Sequence, residues 1–263
     1  MKYLIQRTIA FLLVLAIGIH LFVYVVQDSL LFFPTKNKNF NASKFKHVEE
    51  LSFEREGVLL AGYIINAERA SNGIVFYFGG NAEDVSGVIS DYYFVEDKMM
   101  VAFNYRGYGD STGNPNQENL LSDAHFIYKS ILTKYSVEKV YIVGRSLGSG
   151  VACYVASKEK GVKLCLVTPY DSILSLAKRN YPFLWVDLLL KHSFRSDLWV
   201  NEIEKQITVI AALNDRIIPM EHTEKLIENM NKKPISHKIK DADHNNLIYL
   251  KDYKNAIRYF LRD

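Results

Sequence analysis

The sequence predicts a single α/β domain on a mostly parallel eight-stranded sheet, with helices on both faces and a small helical cap. Short apolar, β-branched runs alternate with stretches of helical length, the order that builds a parallel sheet covered on both sides. Several runs end in loops rich in Gly, Asp and Asn, at the carboxyl edge where such sheets hold ligands. Length agrees: 263 residues, 49% hydrophobic and 23% charged, suit one large domain plus a leader.

The leader comes first. After Lys2 and Arg7, residues Thr8 to Val26 run without an Asp, Glu, Lys or Arg. As a helix these 19 residues span about 28 Å, close to the ~30 Å hydrocarbon core of a bilayer. The stretch is long for a cleaved signal and no small-x-small site follows it, so residues 1–27 are expected to be an uncleaved single-pass membrane anchor. Arg7 before it and Asp28 after it favour an extracytoplasmic domain, against the more distant Lys36, Lys38, Lys44 and Lys46. Residues 28–48 form a juxtamembrane linker whose Leu30–Pro34 (Leu-Leu-Phe-Phe-Pro) suits an interface.

Residues 49–263 are the domain. Leu51–Glu56 and Val58–Asn66 read as a hairpin around Gly57. Six further strands are expected at Gly73–Phe78, Met99–Tyr105, Lys139–Val143, Val162–Thr168, Ile207–Leu213 and the more polar Ser236–Lys240. Helices are expected near Ala82–Val95, Gln117–Tyr135, Ser146–Ser157, Met220–Asn231 and Asn245–Leu261. The interval 172–204 breaks this rhythm. Within it Tyr181–Phe194 is apolar nearly all round, as a cap over a greasy pocket would be.

Composition excludes several classes. A net charge of +3 without a long basic run argues against nucleic acid. No Cys-x-x-Cys, His-Glu-x-x-His or Walker loop is present, and Gly107 and Gly109 lack the third glycine of a dinucleotide fingerprint. Cys153 and Cys165 fall in a helix and a strand, as buried free thiols.

The chemistry gathers where strands end. Val140–Val143 runs into Gly144-Arg145-Ser146-Leu147-Gly148 and then a small-residue helix. That is the strand, sharp turn and helix of a nucleophile elbow, which pushes the hydroxyl of Ser146 out above the sheet. Asp215 follows the strand ending at Leu213, and His244 lies on the loop before the final helix. A serine needs a base to attack at neutral pH, a histidine can supply it, and a carboxylate fixes the histidine's tautomer. Asp171 is the rival acid; Asp243 is too near His244 in sequence to orient it. Two backbone N–H groups suit a developing oxyanion: Leu147, just after the serine, and Asn81, in Phe78-Gly79-Gly80-Asn81-Ala82. The motif Asn104–Ser111 reads as a tight structural loop without a chemical step.

Taken together these residues resemble the α/β-hydrolase superfamily, and within it the membrane-anchored α/β-hydrolase-domain type, serine aminopeptidase-like. The likeness runs from Leu31-Phe32-Phe33-Pro34 through Gly80-Asn81-Ala82, Asn104-Tyr105-Arg106-Gly107-Tyr108-Gly109, Gly144–Gly150 and Asp215-x-x-x-Pro219 to His244-Asn245, with the family's Ser, acid, His order. It implies hydrolysis of an ester, thioester or amide through an acyl-enzyme, without metal or cofactor. One departure is Gly79, where the family usually has histidine before its oxyanion loop. Some relatives remove long acyl chains from proteins or lipids. The expected function is therefore a membrane-anchored serine hydrolase of a small or lipid-like acyl ester or thioester. Amide hydrolysis, and a silent fold that binds a lipid or partner, stand as alternatives.

Overall fold

The computed structural model describes residues 1–91, 95 and 97–262. Eight strands form one sheet in the order β1-β2-β4-β3-β5-β6-β7-β8. They are β1 (Val48–Arg55), β2 (Val58–Ile65), β3 (Ile74–Phe78), β4 (Met99–Phe103), β5 (Val140–Arg145), β6 (Lys163–Val167), β7 (Thr208–Ala212) and β8 (Ile235–Ile239). The expected hairpin is there, with Arg55 paired to Val58. Its two-residue turn holds Glu56 and Gly57 at positive φ, the backbone that matches strand twist. Strand β2 runs antiparallel to β1 and β4, and the ladders from β4 through β3 to β8 are parallel.

Helices cover both faces because the inner strands carry apolar residues on both. In β3, Ile74, Phe76 and Phe78 pack into one core while Val75 and Tyr77 pack into the other; β4, β5 and β6 alternate likewise. The first core lies under α3 (Gln117–Lys134) and α4 (Leu147–Lys158). The second is closed by α9 (Lys251–Leu261), whose Tyr253, Ala256, Ile257 and Phe260 face inward. Asn116 caps α3 by accepting from the Asn119 N–H. Helix α2 (Ser86–Asp91) lies within the expected Ala82–Val95, of which residues 92–94 lie outside the described residues. Helix α8 (Met220–Glu228) follows β7, and a 3-10 turn at Leu247–Tyr249 occupies the start of the expected last helix.

The motif at Asn104–Ser111 is held by buried charge. Arg106 grips Asp123 of α3 with Nε and Nη2, at 2.7 and 2.9 Å, and Arg55 adds a bond of 2.8 Å. Removing one partner of such a pair strands the other: Asp123→Ala is expected to cost about 3–5 kcal/mol in urea unfolding. The exposed Glu56, which also meets Arg106, contributes little beside it. Cys153 and Cys165 are buried and unbridged, and burial pushes both thiols above their ordinary range.

The cap departs from expectation. Tyr181–Phe194 is not one helix covered on several sides. The interval holds three short helices: α5 (Ile173–Asn180), α6 (Val186–Leu189) and α7 (Ser196–Trp199). The first ends at Tyr181, which Pro182 holds out of the α region. Phe183 is 75% and Leu188 77% exposed, with Tyr181 and Trp185 also outward. What lies against the cap is the N-terminal helix.

That helix, α1, runs unbroken over Lys2–Leu31, and its mean hydropathy reaches 2.8. Most of it stands clear of the domain, while its last turns dock on the cap. Gln27, buried, donates to the Leu189 carbonyl and accepts the Lys191 N–H; Asp28 meets His192 at 2.9 Å.

Candidate active site

At the elbow, β5 turns into α4 within one residue. Ser146 sits at φ 51° and ψ −120°, a conformation L-residues avoid and that costs on the order of 1–3 kcal/mol. The Ser146 N–H bonds the Val167 carbonyl of β6, which anchors the strained residue. Flanking glycines make the turn possible. A Cβ on Gly144 would fall within 3.0 Å of Gly148, and one on Gly148 within 3.0 Å of the Phe78 and Gly79 carbonyls.

Three loops at the sheet's carboxyl edge bring three side chains together. His244 Nε2 lies 2.9 Å from Ser146 Oγ, and His244 Nδ1 lies 2.7 Å from Asp215 Oδ2. With Nδ1–H donating to the carboxylate, Nε2 is left to accept from the hydroxyl. The second oxygen of Asp215 accepts N–H bonds from Ile217 and Ile218, so both carboxylate oxygens are engaged. All three side chains are buried. Asp171, the rival acid, is committed elsewhere, 2.6 Å from His222 of α8. Asp243 accepts the N–H groups of Asn246 and Asn245, which hold its carboxyl below the usual range and shape the His244 loop.

Opposite lies the Gly79–Ala82 turn. The Leu147 N–H, first in α4, has no acceptor within its helix, and Asn81 lines the same cavity as Ser146 and Leu147. Sequence reasoning missed what braces this turn. Glu83 accepts from the Gly80 N–H and from Tyr77 Oη, both at 2.7 Å, and from Arg145 at 3.0 Å; Arg145 also donates to the His244 carbonyl. Burial first, then the Glu83 carboxylate, raises Tyr77 well above the ordinary phenol range, so it remains a donor. A charged pair placed three residues after the glycines was the one available signal for Glu83. The Asn104–Ser111 loop adds Tyr105, which donates to the Gly79 carbonyl, and Tyr108, which donates to Asn81 Oδ1.

Beside Ser146 opens a cavity of about 660 Å³, within the range of small-molecule sites. Its walls are overwhelmingly apolar: Leu176 and Ala177 from α5, Leu184 and Val186 from the cap, Ile217 and Ile218 from the Asp215 loop. Among the described residues, no group of three or more His, Cys, Asp or Glu side chains could hold a metal ion.

A family model described as the alpha/beta hydrolase fold matches residues 91–194. An esterase of Pyrococcus furiosus, Pf2001, superimposes with a TM-score of 0.64 over 88% of this chain and 96% of its own, at 17% identity. The chain has the α/β-hydrolase fold. Its sequence relatives include the lysophosphatidylserine lipase ABHD12 of Danio rerio, 30% identical over 61% of this chain and 48% of that one. An uncharacterized membrane protein of Saccharomyces cerevisiae is 31% identical over 66% and 64%. The chain thus spans about half the length of the lipase and under two thirds of the yeast protein.

Proposed function

We propose that this protein is a membrane-anchored serine hydrolase that cleaves a lipid-like acyl ester or thioester. The observation carrying the reading is the 2.9 Å contact between Ser146 Oγ and a His244 ring already oriented by Asp215. In the reaction so inferred, His244 Nε2 takes the hydroxyl proton as Ser146 Oγ adds to the acyl carbonyl carbon. The N–H groups of Leu147 and Asn81 receive the oxyanion. Collapse breaks the bond to the leaving oxygen or sulfur, which departs with the proton from His244. Water, deprotonated by the same ring, then releases the acid and restores Ser146.

The substrate class rests on the apolar cavity beside the serine and on the lipase among the relatives. Anchoring rests on the length and composition of α1, and the yeast relative is named a membrane protein. The deciding assay compares medium- and long-chain acyl esters and thioesters with aminoacyl amides, using detergent-solubilised protein. Esters are expected to turn over faster; faster amide cleavage would replace this reading with a peptidase.

Glu83 supplies a separate check. Its carboxylate ties the Gly80 N–H to Arg145, so Glu83→Ala should let the turn drift while leaving the cavity intact. The expected result is a fall in kcat of about 10²-fold with KM little changed, read from steady-state ester kinetics.

A further inference from the structure

The cavity beside Ser146 is not made by the domain alone. Val23, Gln27, Leu30 and Leu31 of α1 line it together with the cap, so the helix that resembles a tether supplies a wall of the site. The end of α1 is also tied to the turn that faces Ser146. Asn81 Nδ2 donates to the Leu31 carbonyl at 2.6 Å, and Asn81 Oδ1 accepts the Phe33 N–H at 3.0 Å. Further up the helix, the His20 ring lies 4.4 Å from that of Trp185. His20 precedes Asp28 by eight residues, or about 12 Å of helix. With Asp28 at the membrane surface, the contact with His20 puts Trp185 below that surface, while Leu189, bonded to Gln27, lies level with it. Outward apolar residues on the cap are then turned toward lipid rather than water.

We propose that the last turns of α1 are one wall of the acyl pocket, and that the pocket opens between α1 and the cap into the bilayer, so that a single-chain lipid enters from the membrane. The substrate part of this rests on the hydrolase reading above; the depth of the cap does not.

The first test measures depth. The chain has two tryptophans, and Trp199 packs on Tyr154, a contact that Trp199→Phe retains in kind. The full-length Trp199→Phe protein is reconstituted in phosphatidylcholine vesicles with brominated acyl chains. Trp185 is expected to lose most of its emission and to resist aqueous iodide; emission unaffected by bromine and quenched by iodide would overturn the proposal. Because no turnover is needed, a protein that passes this test but hydrolyses nothing refutes the hydrolase reading and leaves the membrane-facing mouth standing.

The second test measures the wall. Val23→Trp and Leu30→Trp narrow the pocket from the helix side. Each is expected to lower turnover of a hexadecanoyl monoacyl lipid in vesicles by about tenfold or more relative to turnover of a water-soluble acetyl ester by the same variant. An unchanged urea midpoint reports that the fold is intact. An unchanged chain-length profile in both variants would show that α1 is only a tether.

Discussion

Ser146→Ala is expected to lower kcat for acyl ester hydrolysis on the order of 10⁴- to 10⁶-fold and to abolish labelling by a fluorophosphonate. The size follows from what the hydroxyl does in the array. His244 Nε2 meets Ser146 Oγ, and Asp215 spends both oxygens on holding that ring and its own loop. Losing the nucleophile therefore idles all three groups together. His244→Ala should fall nearly as far, and the double variant scarcely further, because groups acting as a unit are not additive. Asp215→Asn keeps the shape but favours the wrong tautomer, and a loss of about 10⁴-fold is expected. Residual labelling of Ser146→Ala at wild-type rate would mean that another residue is the nucleophile.

Gly148→Ala should be as damaging by a different route. The new methyl group would sit within 3.0 Å of two backbone carbonyls, those of Phe78 and Gly79. Neither is the loose end of a side chain, so α4 and the Gly79–Ala82 turn must separate. That separation moves apart Leu147 and Asn81, whose N–H groups are the proposed oxyanion donors, and a loss of about 10²-fold or more in kcat is expected. It also opens the join between β3, β5 and α4, and the loss in stability is expected to exceed about 4 kcal/mol, an exceptional value for one methyl group. Urea unfolding and ester kinetics read the two effects separately. A variant as stable and active as wild type would show that the turn is not the close-packed junction described here.

Much of the architecture could be read from residue order, for a physical reason. Strands β3 to β7 are buried on both faces, so each appears as an uninterrupted apolar run with little competing interpretation. The hairpin was visible in Gly57, and the strand-end positions of Ser146, Asp215 and His244 followed from the strands themselves. The cap was misread because apolar character reports that a residue avoids water without saying what replaces it. Phe183, Trp185 and Leu188 looked like a covered helix, yet they face outward. Arg145 and the Asn81 side chain escaped notice because their partners are distant: Arg145 reaches the His244 carbonyl across 99 positions, and Asn81 reaches the Leu31 carbonyl across 50. No local pattern encodes such pairs.

The two hydrogen bonds of Gln27 to Leu189 and Lys191 have a kinetic consequence. With α1 in the bilayer, they forbid the domain to swing on a leash, and Ser146 stays at one height above the lipid. The enzyme then samples a two-dimensional solution. Its rate should follow the mole fraction of substrate in the membrane and fall as inert lipid dilutes that surface, even when the bulk molarity of substrate is held constant.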